Sequence, residues 1–445
     1  MRELMGLPIG DITFEDVQAF CAHQTSENIR LDYKREFSSN EPAKKIAKEV
    51  AAFANTQGGM LIYGVAEESD RKPEKNPQGA DLGSDAKSMV QSACVHNVFP
   101  PIVPEVSAFI PNPVDPNKGF LVVRVGASEE IHTVDGGAGI YIRANDQSEP
   151  IRASIDRIRW MIQRNERSIA PQADRRVRSQ RTLRSTFGTK CQPGDIEISI
   201  GPRLVIAPLV DLASLPALAR NCSVKSYYLN GATTPIDSQR SPRAMADAIF
   251  SDPGYDGTFA EAGCFDVFGN IALVTRLLAE CNVADSPSFC KNELETLPKR
   301  RDKTVGVDAV NVVERLLGVV RAASNFYSAV GFVGLCELGF DAPEVSGYPL
   351  VWTGDRQVAA RLGVCALGNE VSVRATYSTV ELASDLLVVL DSFVSRILWS
   401  WGCTEPNARR VLDRAEQYHY GSRRCSCNGH MHSLIRDRCL RCRSN

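Results

Sequence analysis

The stretch RRCSCNGHMHSLIRDRCLRCRSN near the C-terminus sets four thiols, Cys425, Cys427, Cys439 and Cys442, around His430 and His432. The second pair is C-x-x-C, a spacing that lets one turn present two thiolates to a tetrahedral ion, and the first is the tighter C-x-C. Gly429 gives the turn between them its freedom. The pattern predicts a structural Zn²⁺ site in a small zinc-ribbon-like tail over residues 421–445, with both histidines outside the ligand set. Four free surface thiols are the rival reading, and a disulfide pair is disfavoured in a cytosolic chain. The surrounding arginines would lower the thiol pKa values and would also suit a phosphate backbone.

A second candidate is FANTQGGMLIYGV, Phe53–Val65, with its glycine pair, amide and hydroxyl. A phosphate loop of the Walker type needs a strand, then the glycines, then a helix whose free N–H groups meet the phosphate. Here the order is helix, glycines, strand. The helix offers its carbonyl end, which repels a phosphate, so ATP binding by this loop is disfavoured. Gly58 and Gly59 fit a left-handed cap and turn instead, with Asn55 tying that turn to nearby backbone.

The elements that would carry these residues follow from periodicity. IRLDYK alternates, with Ile29, Leu31 and Tyr33 on one face and Arg30, Asp32 and Lys34 on the other, which predicts a half-buried strand. SSNEPAKKIAKEVAAFA predicts a helix with Ser39 or Asn40 as N-cap and Pro42 in its first turn. Ile46, Val50 and Phe53 form its apolar face, and Lys44, Lys45 and Lys48 stay in water. GMLIYGV, PEVSAFI, GFLVVRV and GIYIRA read as strands, Ser84–Val95 as a helix, and Ile155, Ile158 and Ile162 space a closing helix. Residues 168–195 lack periodicity and hold five arginines between Arg175 and Arg184; they read as a linker or as a nucleic-acid footprint. Residues 196–418 mix strand and helix signals and predict a second α+β domain.

Composition narrows the classes. The chain of 445 residues is 43% hydrophobic and 23% charged, which suits a globular protein of two or three domains. No run of 18 apolar residues argues for a membrane span, and the N-terminus acquires acids too early for a signal peptide, so a cytoplasmic location is expected. Ten of the 14 cysteines are scattered from Cys21 to Cys403 as in a reduced interior. The formal net charge of -2 steers no partner by itself.

ENIRLDYK, the lysine-bearing helix, AFANTQGGMLIYGV and GIYIRANDQSEP together resemble the AlbA-like domain of the Schlafen family, over residues 14–167. The resemblance implies an α+β chain led by a mixed-sheet nucleic-acid-binding module. It also implies, in some members, a nuclease that cuts structured RNA such as tRNA through three acids holding a divalent metal. Carried onto this sequence, those acids are Glu27, Asp32 and Glu67. Hard oxygen ligands suit Mg²⁺ or Mn²⁺, such an ion could activate water, and Lys34 beside it could stabilise developing charge on a phosphate. Glu27 lies an odd number of residues from Asp32, so the chain must turn near Ser26–Asn28 for both to share a face. Carboxylates that merely sit exposed at strand ends are the alternative.

His132 matches a loop histidine of the family, either contacting phosphate or packing the loop, and Arg143 either contacts phosphate or forms a surface ion pair. With Lys44, Lys45 and Lys48 they make the candidate nucleic-acid contacts. The expected function is a metal-dependent nuclease, foremost an endoribonuclease in defence or stress. A non-catalytic DNA- or RNA-binding regulator of the same fold is the alternative. A homo-oligomer built on the apolar segment Val310–Val330 is open at this stage.

Overall fold

The computed structural model describes residues 9–37, 41–134, 139–144, 149–187, 195–205, 207–225, 233–235, 243–245, 247–251, 261–276, 278–281, 299–300, 303–345, 350–352, 360–361, 370–383 and 386–403, with 4, 7, 136, 348 and 411 singly. Cys425, Cys427, Cys439 and Cys442 lie outside the described residues. The chain is a mixed helix-and-sheet protein. No helix among the described residues is long and apolar enough to cross a membrane.

Helix α1 (Phe14–Ala22) starts on a capping box in which Thr13 and Asp16 satisfy each other's backbone N–H. Strand β1 (Leu31–Lys34) and strand β2 (Gly59–Tyr63) run parallel, Asp32 opposite Leu61. Parallel neighbours need a crossover, and helix α2 (Pro42–Asn55) supplies it. Helix α3 (Ala86–Asn97) precedes β3 (Val98–Phe99), β4 (Glu105–Val106), β5 (Ile110–Pro111) and β6 (Gly119–Val125). The main sheet has the order β1-β2-β6-β4, and β5 also pairs with β6. Period-2 alternation gives it two faces. Leu31, Tyr33, Met60, Ile62, Phe120 and Val122 pack on α1, while Leu61, Tyr63, Leu121 and Val123 pack on α2 and α3. A smaller sheet joins β3 to β7 (Thr133–Val134), β8 (Gly139–Ile142) and β9 (Ile151–Arg152). It presses Val134 and Tyr141 onto Ala47, Ala51 and Ala52 of α2.

Helix α4 spans Ile155–Phe187. The arginine-rich stretch expected to be a linker is therefore helical as far as Phe187, in keeping with arginine's high helix propensity. The apolar spacing that announced the helix also does not mark its inner face. Ile155 and Ile162 are exposed, whereas Met161, Arg164, Gln172 and Leu183 are buried. The helix bridges both halves of the molecule. Arg164 donates to the carbonyls of Asn55 (3.2 Å), Thr56 and Ser128 (3.3 Å), Gln172 Nε2 donates to Asn270 Oδ1 (3.0 Å), and Arg176 pairs with Glu337 (2.9 Å).

Beyond it come β10 (Asp195–Pro202), α5 (Leu215–Cys222), β11 (Arg243–Met245), β12 (Ala248–Phe250), β13 (Glu261–Asp266), β14 (Ile271–Arg276), α6 (Ala309–Val330), β15 (Leu335–Pro343), β16 (Glu370–Ser378), α7 (Thr379–Ala383) and α8 (Leu386–Trp399). The strands make one antiparallel sheet ordered β11-β12-β13-β14-β10-β15-β16. Helix α6 is capped by Asp308 and by Gly331 in a left-handed conformation, and it lies within the largest core cluster among the described residues. That placement makes it a core helix, enclosed over most of its length, with even Asn311, Glu314 and Arg315 buried.

Candidate functional site

The polar residues of β1 do not form an open face, and even Lys34 is half-buried. Asp32 is fully buried, because α2 crosses over the face that alternation assigned to solvent. A buried carboxylate needs partners, and three elements provide them. Lys34 Nζ stands 2.8 Å from Asp32 Oδ1, and Arg143, just past β8, places Nη1 2.9 Å from Asp32 Oδ2. The same Nη1 is 3.2 Å from Glu49 Oε2 on α2, and Lys34 Nζ is 4.0 Å from Glu49 Oε1. The Arg143 guanidinium also lies over the Phe53 ring, 5.1 Å from its centroid.

Glu27 joins the cluster from the turn before β1. Its Oε1 accepts the Tyr33 backbone N–H at 2.9 Å, and it lies within hydrogen-bonding reach of Asp32. Burial, then the Asp32 carboxylate, push the Glu27 carboxyl up to about 8. Burial and then Asp32 raise Glu49 well above the usual carboxylate range. Burial alone would raise Asp32 too, yet hydrogen bonding from Glu27 and the charges of Arg143 and Lys34 hold it below its ordinary value. The chemical picture is a carboxylate, Asp32, held down by two cations, beside two carboxyls whose pKa values burial and Asp32 push up.

Glu67 is elsewhere. It is exposed beyond the end of β2, its backbone bridged to Pro73, and it is not among the principal charges acting on Glu27, Asp32, Lys34 or Glu49. Among the described residues no group of three or more His, Cys, Asp or Glu is placed to hold a metal ion. The donor chemistry agrees. Both Asp32 oxygens already face a cation, so a divalent ion there would stand against two fixed positive charges. The expected Glu27, Asp32 and Glu67 set does not fit Mg²⁺ or Mn²⁺ in this arrangement.

The glycine turn is built from the same elements. Asn55 ends α2 and donates through Nδ2 to the carbonyls of His132 (2.8 Å) and Tyr141 (2.9 Å), while its Oδ1 accepts the His132 N–H (2.8 Å). Thr56 Oγ1 donates to the Ala52 carbonyl and accepts the Arg143 N–H. Gly58 has φ +68°, and its N–H returns to the Phe53 carbonyl (2.8 Å), the helix-ending geometry that glycine permits. At Gly59 a side chain would collide with the Phe53 ring. The turn is thus a junction between α2 and both sheets, with carbonyls at the helix end engaged by Arg164.

The remaining expected contacts separate. His132 is buried; its Nδ1 faces the Pro100 carbonyl (2.7 Å) and so carries the proton, leaving Nε2 to accept from Ser128 Oγ (2.7 Å). Burial lowers its pKa, so it is a neutral loop-packing residue. Lys44 pairs with Glu41 (2.6 Å), Lys48 sits over the Tyr141 ring, and Lys45 is exposed. Glu49 escaped the sequence reading. Its signal was an acid three residues after Ile46 and four before Phe53, inside the apolar stripe of the helix.

The Schlafen, AlbA_2 family profile matches residues 27–152. Those residues are a Schlafen AlbA_2 domain. The match takes in Glu27, Asp32, Glu49, Arg143 and the glycine turn, so the whole buried cluster lies within the AlbA_2 unit. No curated protein matches the chain. Among solved structures, the DIP2311 protein from Corynebacterium diphtheriae is 18% identical over 46% of this chain, with a TM-score of 0.21. The match takes in 33% of that structure's length. The N-terminal domain of a DNA helicase RecG-related protein from Nitrosomonas europaea is 21% identical over 32% of this chain and 96% of that domain, with a TM-score of 0.23. Superpositions this loose add nothing to the AlbA_2 assignment.

Proposed function

We propose that the AlbA_2 domain binds nucleic acid, structured RNA such as tRNA first and DNA second, and that its buried Asp32 cluster braces the domain instead of cutting the ligand. The observation that carries the non-catalytic half is the pairing of both Asp32 oxygens with Lys34 and Arg143. The binding half rests on the family match and on exposed cations at Lys45, Arg157 and Arg159, which can meet phosphates as a buried Arg143 cannot. A metal-dependent endoribonuclease is the second reading. One observation favours it: Glu27 and Asp32, two of the three expected acids, do meet within hydrogen-bonding reach.

The test mixes the full chain with total tRNA in Mn²⁺, beside Glu27→Gln and a Lys45→Glu/Arg157→Glu/Arg159→Glu triple variant. Retarded but intact tRNA with wild type and Glu27→Gln, and affinity at least tenfold weaker for the triple variant, is the expected result. Cleavage by wild type that Glu27→Gln abolishes would overturn the binding-only reading. For the tail we propose Zn²⁺ on Cys425, Cys427, Cys439 and Cys442. Zinc content that is unchanged after removal of residues 421–445 would sink that assignment.

A further inference from the structure

A cavity of about 410 Å³ lies where the N-terminal domain meets the corner between α6 and α7. Val103 from the N-terminal domain, Phe332 from the loop after α6 and Val380 on α7 give it an apolar wall. Val103 is 70% exposed and Val380 36%, so the mouth carries large apolar side chains in contact with water. Two cations line the cavity, Arg124 and Lys87, against one acid, Glu105.

Arg124 is the unusual member. It sits on β6 on the same face as Phe120 and Val122, so its guanidinium enters an apolar layer and only 3% of the residue is exposed. The carbonyls of Leu4 and Leu7 hold Nη2 at 2.6 and 2.7 Å, and Glu105 stands 3.7 Å from Nη1. Nε is buried with no hydrogen-bond partner among the described residues. Burial lowers the Arg124 pKa and raises that of Glu105, each shift partly countered by the other's charge. Lys87, on the exposed side of α3, has no ion pair among the described residues.

Concave, largely apolar cavities with a few converging polar groups at a junction are where small molecules bind. Here the polar groups are net cationic, and the apolar wall asks for a hydrocarbon body. We propose that this cavity binds a small organic anion, its acidic head on Arg124 and Lys87 and its apolar body against Phe332 and Val380. Because the wall is shared, such a ligand stabilises the contact between the N-terminal domain and the C-terminal half by mass action.

The probes are anilinonaphthalene sulfonate and its uncharged parent N-phenylnaphthylamine, titrated by fluorescence into the full chain. One saturable site per chain is expected, with the sulfonate bound about tenfold more tightly, as one charge-assisted contact provides. Ala383→Phe, at an exposed lining position, fills the space and should remove binding of both dyes. Lys87→Met and Arg124→Met should each shrink the preference for the sulfonate while keeping the uncharged dye. Circular dichroism and melting check that each variant is folded, and if Ala383→Phe or Arg124→Met unfolds, the surface variant Lys87→Met decides. Equal affinity for the two dyes, no saturable site, or a folded Ala383→Phe that still binds would each overturn the proposal.

Discussion

Asp32 and Asp266 are both buried aspartates, one in each half of the molecule, and they are satisfied in opposite ways. Asp266 closes the turn between β13 and β14. Its Oδ1 accepts the backbone N–H groups of Phe268 (2.9 Å) and Asn270 (2.8 Å), and its Oδ2 accepts Asn270 Nδ2 (2.7 Å). Every partner lies within four residues, and burial, only partly countered by these bonds, raises the carboxyl to about 6. Asp32 draws its cations from β1 and from the segment after β8, and its pKa falls. A buried acid fed wholly from its own turn is a turn lock; one that also needs a side chain from a distant element, as Asp32 needs Arg143, is fully paired only when the domain is assembled. Burial alone therefore does not tell a local turn lock from a brace between elements, but the origin of the partners does.

The widest separation should come from removing a partner. Arg143→Met strips a cation from Asp32 and Glu49 inside the protein, and breaking a buried pair on one side costs about 3–5 kcal/mol. Urea unfolding of the N-terminal domain would register it, and a loss below about 1 kcal/mol would show the pair to be wetter than it looks. Asp266→Asn is the milder counterpart. It keeps the shape but sets an amide against donors, at a cost of about 1–3 kcal/mol, read as a lower melting temperature. Taken per pH unit, the last effect is the most gradual, in the pH profile. Between about pH 5 and 8 folded Glu27 keeps a proton that the unfolded chain has released, so stability falls as pH rises, by at most about 1.4 kcal/mol per pH unit. Glu27→Gln should flatten that window, whereas Asp266→Asn should flatten the one between about pH 4 and 6. If both variants follow the wild-type slope throughout, neither carboxyl titrates as its surroundings dictate.

Much of the N-terminal domain was legible because its signals are local. Alternation placed Leu31 and Tyr33 in the core, and the glycine pair announced a helix end. The polar face of β1 was misjudged because alternation reports one buried face and is silent about a crossover helix that covers the other. Arg143 and Glu49 lie 111 and 17 residues from Asp32, a coupling that no pattern within one element encodes. In α4 the isoleucines misled because the residues that face inward there are partly polar: Arg164 and Gln172 go inside to satisfy carbonyls and an amide.

That long helix has one more consequence. Its 33 residues extend about 50 Å, and it holds the helix-end carbonyls at Arg164 and the far sheet at Gln172. Each residue turns the axis by about 100°, so the two grips are clocked to each other like gears on a single shaft. Inserting one residue between them would swing one grip a quarter-turn out of mesh. Inserting seven would bring the teeth back into phase and leave only a displacement along the shaft.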